Sequence, residues 1–596
     1  MEHYYTDERN AQIVIALMKA HNIRKMIASP GTTNICLIAS MQNDPYFEIY
    51  SAAEERSAGY IACGLAAESG EPVAISCTGA TASRNYLPPL TEAFYRKLPI
   101  LAITSSRRGS RIGHNFDQVI DRTQLPKDVA KLSVQLPLVI DLESEWECVI
   151  AANKAMLELD HHGKGPVHIN LETNYSCVYN VKELPNIRAI YRINEKSEMP
   201  EIKGEKIAII VGAHLKWSKK LTERVDLFCA AYNAVVLCDH TSNYKGKYRI
   251  LANLMGCQRY NESVIKRVDL LIHIGDILAP AYSITAENVW RVNPDGELRD
   301  TYGKLRYVFE MEEEDFFLNY LKNVSKNNLK NTFFDECMIE CSGLQKRLKD
   351  VVKQIPFSNA WIASQTAAYL PANSVLHLGI QNSLRCWNYF EVPNSVLGYS
   401  NTGGFGIDGG MSSTVGAALA NCEQIYFCVL GDLAFFYDMS SLGNRHVGNN
   451  IRILLINNGK GAEFKLTGNP GSMFGIKTDN FISAAGHYGN RSKSLVKHYA
   501  EDLGFEYLCV STKEDYSIVL KQFVDPKESP KSIILEAFTE SEDEDIALTL
   551  LQTILVDENL KAKREIINKL KEILGEKGVR IIKKFFLKSR KLRRLD

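Results

Sequence analysis

The chain has 596 residues, and its 70 Lys+Arg balance 70 Asp+Glu to a formal net charge of zero. At about 150 residues per domain this length accommodates three or four domains with sizeable cores, and the balanced charge gives no overall pull toward nucleic acid. No apolar run approaches the roughly 18 residues of a membrane span, and no charged-then-apolar signal pattern opens the chain. The fourteen cysteines include no CxxC pair, so reduced core thiols in a cytoplasmic protein are expected rather than a disulfide frame or a zinc site.

In chain order, short apolar runs alternate with helical patterns, the signature of parallel α/β domains. A helical stripe at 11–18 precedes a short strand at 26–28, and strand-like runs follow at 73–77, 100–104 and 167–171. The charged stretch 194–206 reads as a linker. A second α/β unit carries apolar runs at 207–212, 235–237, 270–274 and 307–310. After the polar tract 322–331 and a long helix, a third unit opens near Phe357 with runs at 375–378 and 532–537. No internal repeat is visible in the sequence. The expected fold is three consecutive α/β domains with mainly parallel sheets, at 1–190, 200–325 and 345–540, then a helical basic tail at 546–596.

The third unit holds the most specific motif. An apolar run at 425–430 leads into Gly431-Asp432, and a second at 451–456 ends at Asn457-Asn458. If the two strands are parallel, a carboxylate and a carboxamide emerge at the same end. Such oxygens suit a hard cation that shares its shell with phosphate. Taken alone, the pattern is equally a turn followed by an Asn cap. In the first unit, Glu54-Glu55-Arg56 opens a helix with a small face (Ala58, Gly59, Ala62, Cys63, Gly64, Ala66), which allows close packing. A carboxylate there is either functional or simply a favourable charge at a helix N-terminus.

These segments, with Ser29-Pro30-Gly31, Gly165 to Asn170, Ser400-Asn401 and Gly406-Ile407-Asp408-Gly409, together resemble the acetolactate synthase-like superfamily of thiamine diphosphate enzymes. Within it the likeness is greatest to the menaquinone-pathway synthases of 2-succinyl-5-enolpyruvyl-6-hydroxy-3-cyclohexene-1-carboxylate. The resemblance implies a pyrimidine-binding domain, a central domain and a diphosphate-binding domain. It also implies active sites shared between subunits of a homodimer or homotetramer. Asp432, Asn458 and the Lys460 carbonyl would hold Mg2+, Gly431 and Leu433 would flank the diphosphate, Ile407 would support the bent cofactor, and Glu55 would bond the aminopyrimidine ring nitrogen. Burial is expected to raise the Glu55 pKa. FAD is not expected. The chemistry implied is decarboxylation of a 2-oxo acid, followed by transfer to a carbonyl acceptor (carboligation) or by aldehyde release. A catalytically decayed scaffold is the reading from another class.

The candidate substrate residues are Thr32, Arg107, Gln118, Ser383 and Glu463. Thr32-Thr33 replace the Ser-Arg of the synthases, and Thr402 and Trp387 stand where two further arginines align. With fewer guanidiniums, isochorismate is not the expected acceptor. A free Glu463 carboxylate would instead suit a cationic or hydroxyl-rich acceptor, as in sugar or surface-polysaccharide metabolism. His114 is a weaker proton-relay candidate. The C-terminal acidic run 540–545, the helical stripe from Ile566 to Leu574 and the basic stretch 581–596 read either as a peripheral membrane or partner-binding tail or as a docked helix with a solvated end.

Overall fold

The computed structural model describes residues 4–278, 282–322, 331–487, 492–525, 527 and 529–566. They form two compact units, one of residues 1–198 with 289–311, the other of 199–288 with the chain from 312 onward. The class is α/β with mainly parallel sheets.

The first unit is built on a six-stranded parallel sheet in the order Glu48–Ser51, Lys25–Ala28, Val73–Thr78, Ile100–Ser106, Val167–Glu172, Leu132–Leu136. Its inner strands are continuous apolar runs because both faces are covered. Met26, Ala74, Leu101 and Ile103 point into one core with helices Arg9–Ala20 and Leu142–Glu158. The alternating residues Ile27, Ile75, Ile100 and Ala102 point into another with helices Glu55–Ser69 and Leu87–Arg96. In the same unit Val289 to Val292 pair with Leu305–Phe309, which pairs with Tyr191–Ile193.

The small face expected on the first of these helices is realised except at Gly64, which is exposed. Gly59 marks the closest approach: a Cβ there would lie 2.3 Å from Pro89 Cγ. Alanine normally gains about 1 kcal/mol over glycine inside a helix. Here the overlap outweighs that gain, and Gly59→Ala is expected to lower unfolding stability by about 1–3 kcal/mol, the usual cost of overpacking, read from a chemical denaturation midpoint.

In the second unit a six-stranded parallel sheet runs Leu397–Tyr399, Val375–Leu378, Tyr426–Gly431, Ile451–Asn457, Ile533–Phe538, Glu506–Val510. In both six-stranded sheets the second strand in sequence lies at the edge beside the first, then come the third and fourth, and the sixth lies inside the fifth. The topology thus repeats where the sequence shows no repeat. A further parallel set centres on Ile207–Val211, between Ala234–Cys238 and Arg267–Ile274. The acidic run becomes the first turn of helix Ser541–Gln552, where the helix dipole favours it. Most of the predicted tail stripe and all of the basic stretch 581–596 lie outside the described residues. Among the described residues no helix is long and apolar enough to cross a membrane.

Candidate cofactor and substrate sites

In the second unit, Tyr426–Gly431 and Ile451–Asn457 are adjacent parallel strands, with Gly431 opposite Ile456. Asp432 opens helix Asp432–Asp438 and is 2% exposed. Its Oδ1 accepts from the Leu433 N–H at 2.7 Å, while its Oδ2 is buried without a hydrogen-bond partner. Asn457 is spent on the sheet: its amide donates to Glu536 at 2.6 Å and its oxygen accepts from Gly459 N–H. Asn458 Oδ1 is buried with no hydrogen-bond partner. Partnerless buried oxygens are rare because each forfeits its hydration. This oxygen-only donor pair fits a hard cation. The Lys460 carbonyl accepts from Ala462 N–H, and the Lys460 ammonium is tied to Asp479 at 2.9 Å. Burial alone would raise the Asp479 carboxyl, but the hydrogen bonds from Lys460 and Lys465 hold it at about 2. His487, not singled out in the sequence, brings Nε2 to 3.6 Å from Asp432 Oδ2.

Ile407 is 37% exposed and lines a small cavity with Gly379, Ile380, Asn401 and Leu430. Leu433 lies 3.3 Å from where a Gly461 Cβ would stand. Ser383 is buried and accepts from Asn359 Nδ2 at 3.1 Å. Trp387 is a core residue that donates to Asn359.

The expectation of a free Glu463 carboxylate is corrected. Arg385 makes two hydrogen bonds to it, at 2.9 and 3.0 Å, and the two side chains are 23% and 24% exposed. Burial opposes the Arg385 charge, but the Glu463 hydrogen bonds and charge outweigh it and raise the Arg385 pKa. The site therefore presents a neutralised pair rather than an open anion. Because a quarter of the pair reaches solvent, Glu463→Gln is expected to cost about 1–3 kcal/mol, below the cost of breaking a fully buried pair, measured by thermal unfolding.

Beneath the helix that carries Arg385, Glu544 accepts from Asn359 N–H, Asn382 Nδ2 and Thr539 Oγ1 at 3.0–3.1 Å. Burial pushes its carboxyl from the ordinary 4.5 up to about 7. A pKa raised on folding favours the protonated native state. The stabilisation is therefore complete below 4.5 and is lost as pH rises through about 7. Glu544→Gln should remove a pH-dependent contribution on the order of 3 kcal/mol, so that its unfolding midpoint varies less than wild type between acid and neutral pH.

In the first unit, Glu54 caps the helix Glu55–Ser69, accepting from Arg56 and Ser57 N–H. The Ser57 hydrogen bonds hold its carboxyl below the usual range. Glu55, the next residue, is left free of that task. It is half-buried and accepts from Asn85 Nδ2 at 3.0 Å. Thr32 is exposed; Thr33 is buried and donates to the Ser105 carbonyl. Arg107 bonds Tyr175 Oη at 2.8 Å and Asp117 at 3.0 Å, so its charge is partly compensated. Gln118 is exposed with φ +57°, and His114 is exposed. Arg122 escapes sequence reasoning because a lone arginine between turn residues carries no pattern. It is 2% exposed, donates to Asn170, and leaves Nε and Nη1 without a hydrogen-bond partner. Burial lowers its pKa to about 10. Its guanidinium lies against Gly79, where a Cβ would meet Nη1 at 2.3 Å.

Residues 9–125 match the family described as thiamine pyrophosphate enzyme, N-terminal TPP binding domain. The protein is a thiamine diphosphate-dependent enzyme. The 2-succinyl-5-enolpyruvyl-6-hydroxy-3-cyclohexene-1-carboxylate synthase of Bacteroides fragilis is 30% identical over 560 residues, spanning 90% of this chain and 97% of its own. The synthase of the same name from Phocaeicola vulgatus is 30% identical over 567 residues with the same coverage. The chain belongs to the thiamine diphosphate enzyme family that includes these synthases. A solved Rhodococcus jostii RHA1 thiamine diphosphate-dependent 4-hydroxybenzoylformate decarboxylase aligns over 89% of this chain and 99% of its own, at 14% identity and a TM-score of 0.38.

Proposed function

We propose that the protein decarboxylates a 2-oxo acid and transfers the resulting acyl unit to a second substrate, using thiamine diphosphate and Mg2+. The observation that carries the metal half of this reading is the pair of buried oxygens without a hydrogen-bond partner on Asp432 and Asn458, at the ends of adjacent strands. These, with the Lys460 carbonyl, would take Mg2+, and Gly431 and Leu433 would flank the diphosphate at the start of helix Asp432–Asp438. Bound thiamine diphosphate supplies a carbon nucleophile and an electron sink for decarboxylation. Ile407 would prop the cofactor, and Glu55 would hold a proton at the aminopyrimidine ring nitrogen. The reading takes 1–190 as the pyrimidine-binding domain, 200–325 as the central domain and 345–540 as the diphosphate-binding domain. Sites shared between subunits make a homodimer or homotetramer the working form, in the cytoplasm, with peripheral membrane contact through the basic tail as an added element.

For the acceptor, Thr32, Arg107, Gln118, Ser383 and the Arg385–Glu463 pair are assigned to the substrate side. A hydroxyl-rich carbonyl compound, as in sugar or surface-polysaccharide metabolism, suits the neutralised Arg385–Glu463 pair. A second reading is favoured by the presence of both arginines: an acceptor bearing carboxylates, as the product named for the relatives does. The deciding experiment measures CO2 release from a panel of 2-oxo acids with cofactor and Mg2+, adding sugar-type and polycarboxylate acceptors and analysing products by mass spectrometry. Release that yields an adduct supports carboligation. Aldehyde alone makes the protein a simple decarboxylase. Cofactor binding without release from any donor points to a donor outside the panel or to the scaffold reading.

A further inference from the structure

We propose that His161, His162 and Glu310 form a binding site for a zinc-class divalent metal ion in the first unit. His161 and His162 follow helix Leu142–Glu158, and Glu310 follows strand Leu305–Phe309, its N–H bonded to the Ile193 carbonyl at 2.8 Å. One ligand atom from each of the three side chains falls within a set no wider than 4.8 Å. Two imidazole nitrogens and one carboxylate oxygen are the donors of zinc sites that keep a position open, whereas Mg2+ demands oxygen.

His161 carries the argument. Its side chain is 6% exposed, and its Nδ1 lies 3.0 Å from Glu158 Oε2. A carboxylate only accepts, so that contact places a proton on Nδ1, and in the neutral ring Nε2 is then the lone pair, turned inward. Nε2 is buried with no hydrogen-bond partner and faces Glu310 Oε1 at 3.5 Å. Two acceptors facing each other in a buried site call for a cation between them. His162 Nε2 reaches the same Glu310 oxygen at 2.7 Å, its ring stacked on His161 with centroids 3.8 Å apart. Glu158 is then the outer carboxylate that orients a metal-binding histidine, and it is braced in turn by Lys131 at 3.3 Å. Arg192, one of the neighbouring cations, approaches the other oxygen of Glu310, Oε2, at 3.9 Å. The cluster borders a cavity of about 550 Å³, also lined by His21, Asn194 and Lys196, with room for a water or small anion as fourth ligand. A bound ion would staple the segment after the helix to the end of the strand.

The test uses the untagged full-length protein loaded with thiamine diphosphate and Mg2+, so that the oxygen-rich site is already filled. Titration with Co2+ should fill one further site with the strong visible d–d absorption of four-coordinate cobalt, displaced by Zn2+ and not by excess Mg2+. His162→Asn is the first variant, because Asn tolerates the positive φ of +45° there and the side chain is largely exposed. It should loosen Co2+ by at least the ~10–100-fold that loss of an outer-shell partner costs, with circular dichroism unchanged. Glu310→Gln should do the same. Weak octahedral-type absorption only, or wild-type Co2+ affinity in a folded His162→Asn, would overturn the proposal and leave a proton as the cation between His161 and Glu310.

Discussion

Glu55→Gln is expected to reduce CO2 release from the preferred 2-oxo acid by about 10²–10⁴-fold, the range for removing a positioned acid–base group, while the protein stays folded. The substitution keeps an oxygen to accept from Asn85 and replaces the other with an amide that cannot exchange a proton. The neighbouring carboxylate is the control. Glu54 caps the helix through the Arg56 and Ser57 N–H groups, so Glu54→Ala should cost about 1 kcal/mol of stability with activity largely intact. Adjacent glutamates would thus separate, one failing in turnover and the other in unfolding midpoint. Equal turnover in Glu55→Gln and wild type would sink the assignment of Glu55. Loss of turnover in Glu54→Ala at unchanged stability would move the role to its neighbour.

Asp432→Asn should abolish stabilisation by cofactor and Mg2+ without harming the unliganded protein. In wild type, a ligand at 100 times its dissociation constant adds about 2.7 kcal/mol to unfolding free energy, visible as a rise in melting temperature that EDTA reverses. The variant should show no such rise, because the buried carboxylate oxygen left without a partner has lost its charge. The unliganded variant should match or exceed wild-type stability, since a buried carboxylate oxygen with no hydrogen bond, and only His487 Nε2 at 3.6 Å, is costly in the absence of a bound metal ion. Asn458→Ala should weaken the ligand-induced rise through the second oxygen. An undiminished rise in Asp432→Asn would show that the metal binds elsewhere. Because the readout is stability, it separates cofactor loading from any fault in the acceptor site.

Much of this site is local and therefore legible from sequence alone. Two short apolar runs ending in Gly431-Asp432 and Asn457-Asn458 read as buried strands, and consecutive parallel strands in an α/β unit deliver their ends to one edge, as the observed pairing does. The small face from Ala58 to Ala66 likewise encodes close helix packing, realised at Gly59 against Pro89. Strand alternation between two cores follows from period-two side-chain direction. Tertiary structure alone decided the pairings that join distant parts of the chain: Arg385 with Glu463, His487 beside Asp432, Glu544 under Asn359 and Asn382, and Glu310 against His161 and His162. The same holds for the strand order common to the two six-stranded sheets. Periodicity and capping act within a few residues and are written in the local sequence. Which charge meets which depends on the path of the whole chain, and that path is set by the packing of all its apolar faces at once.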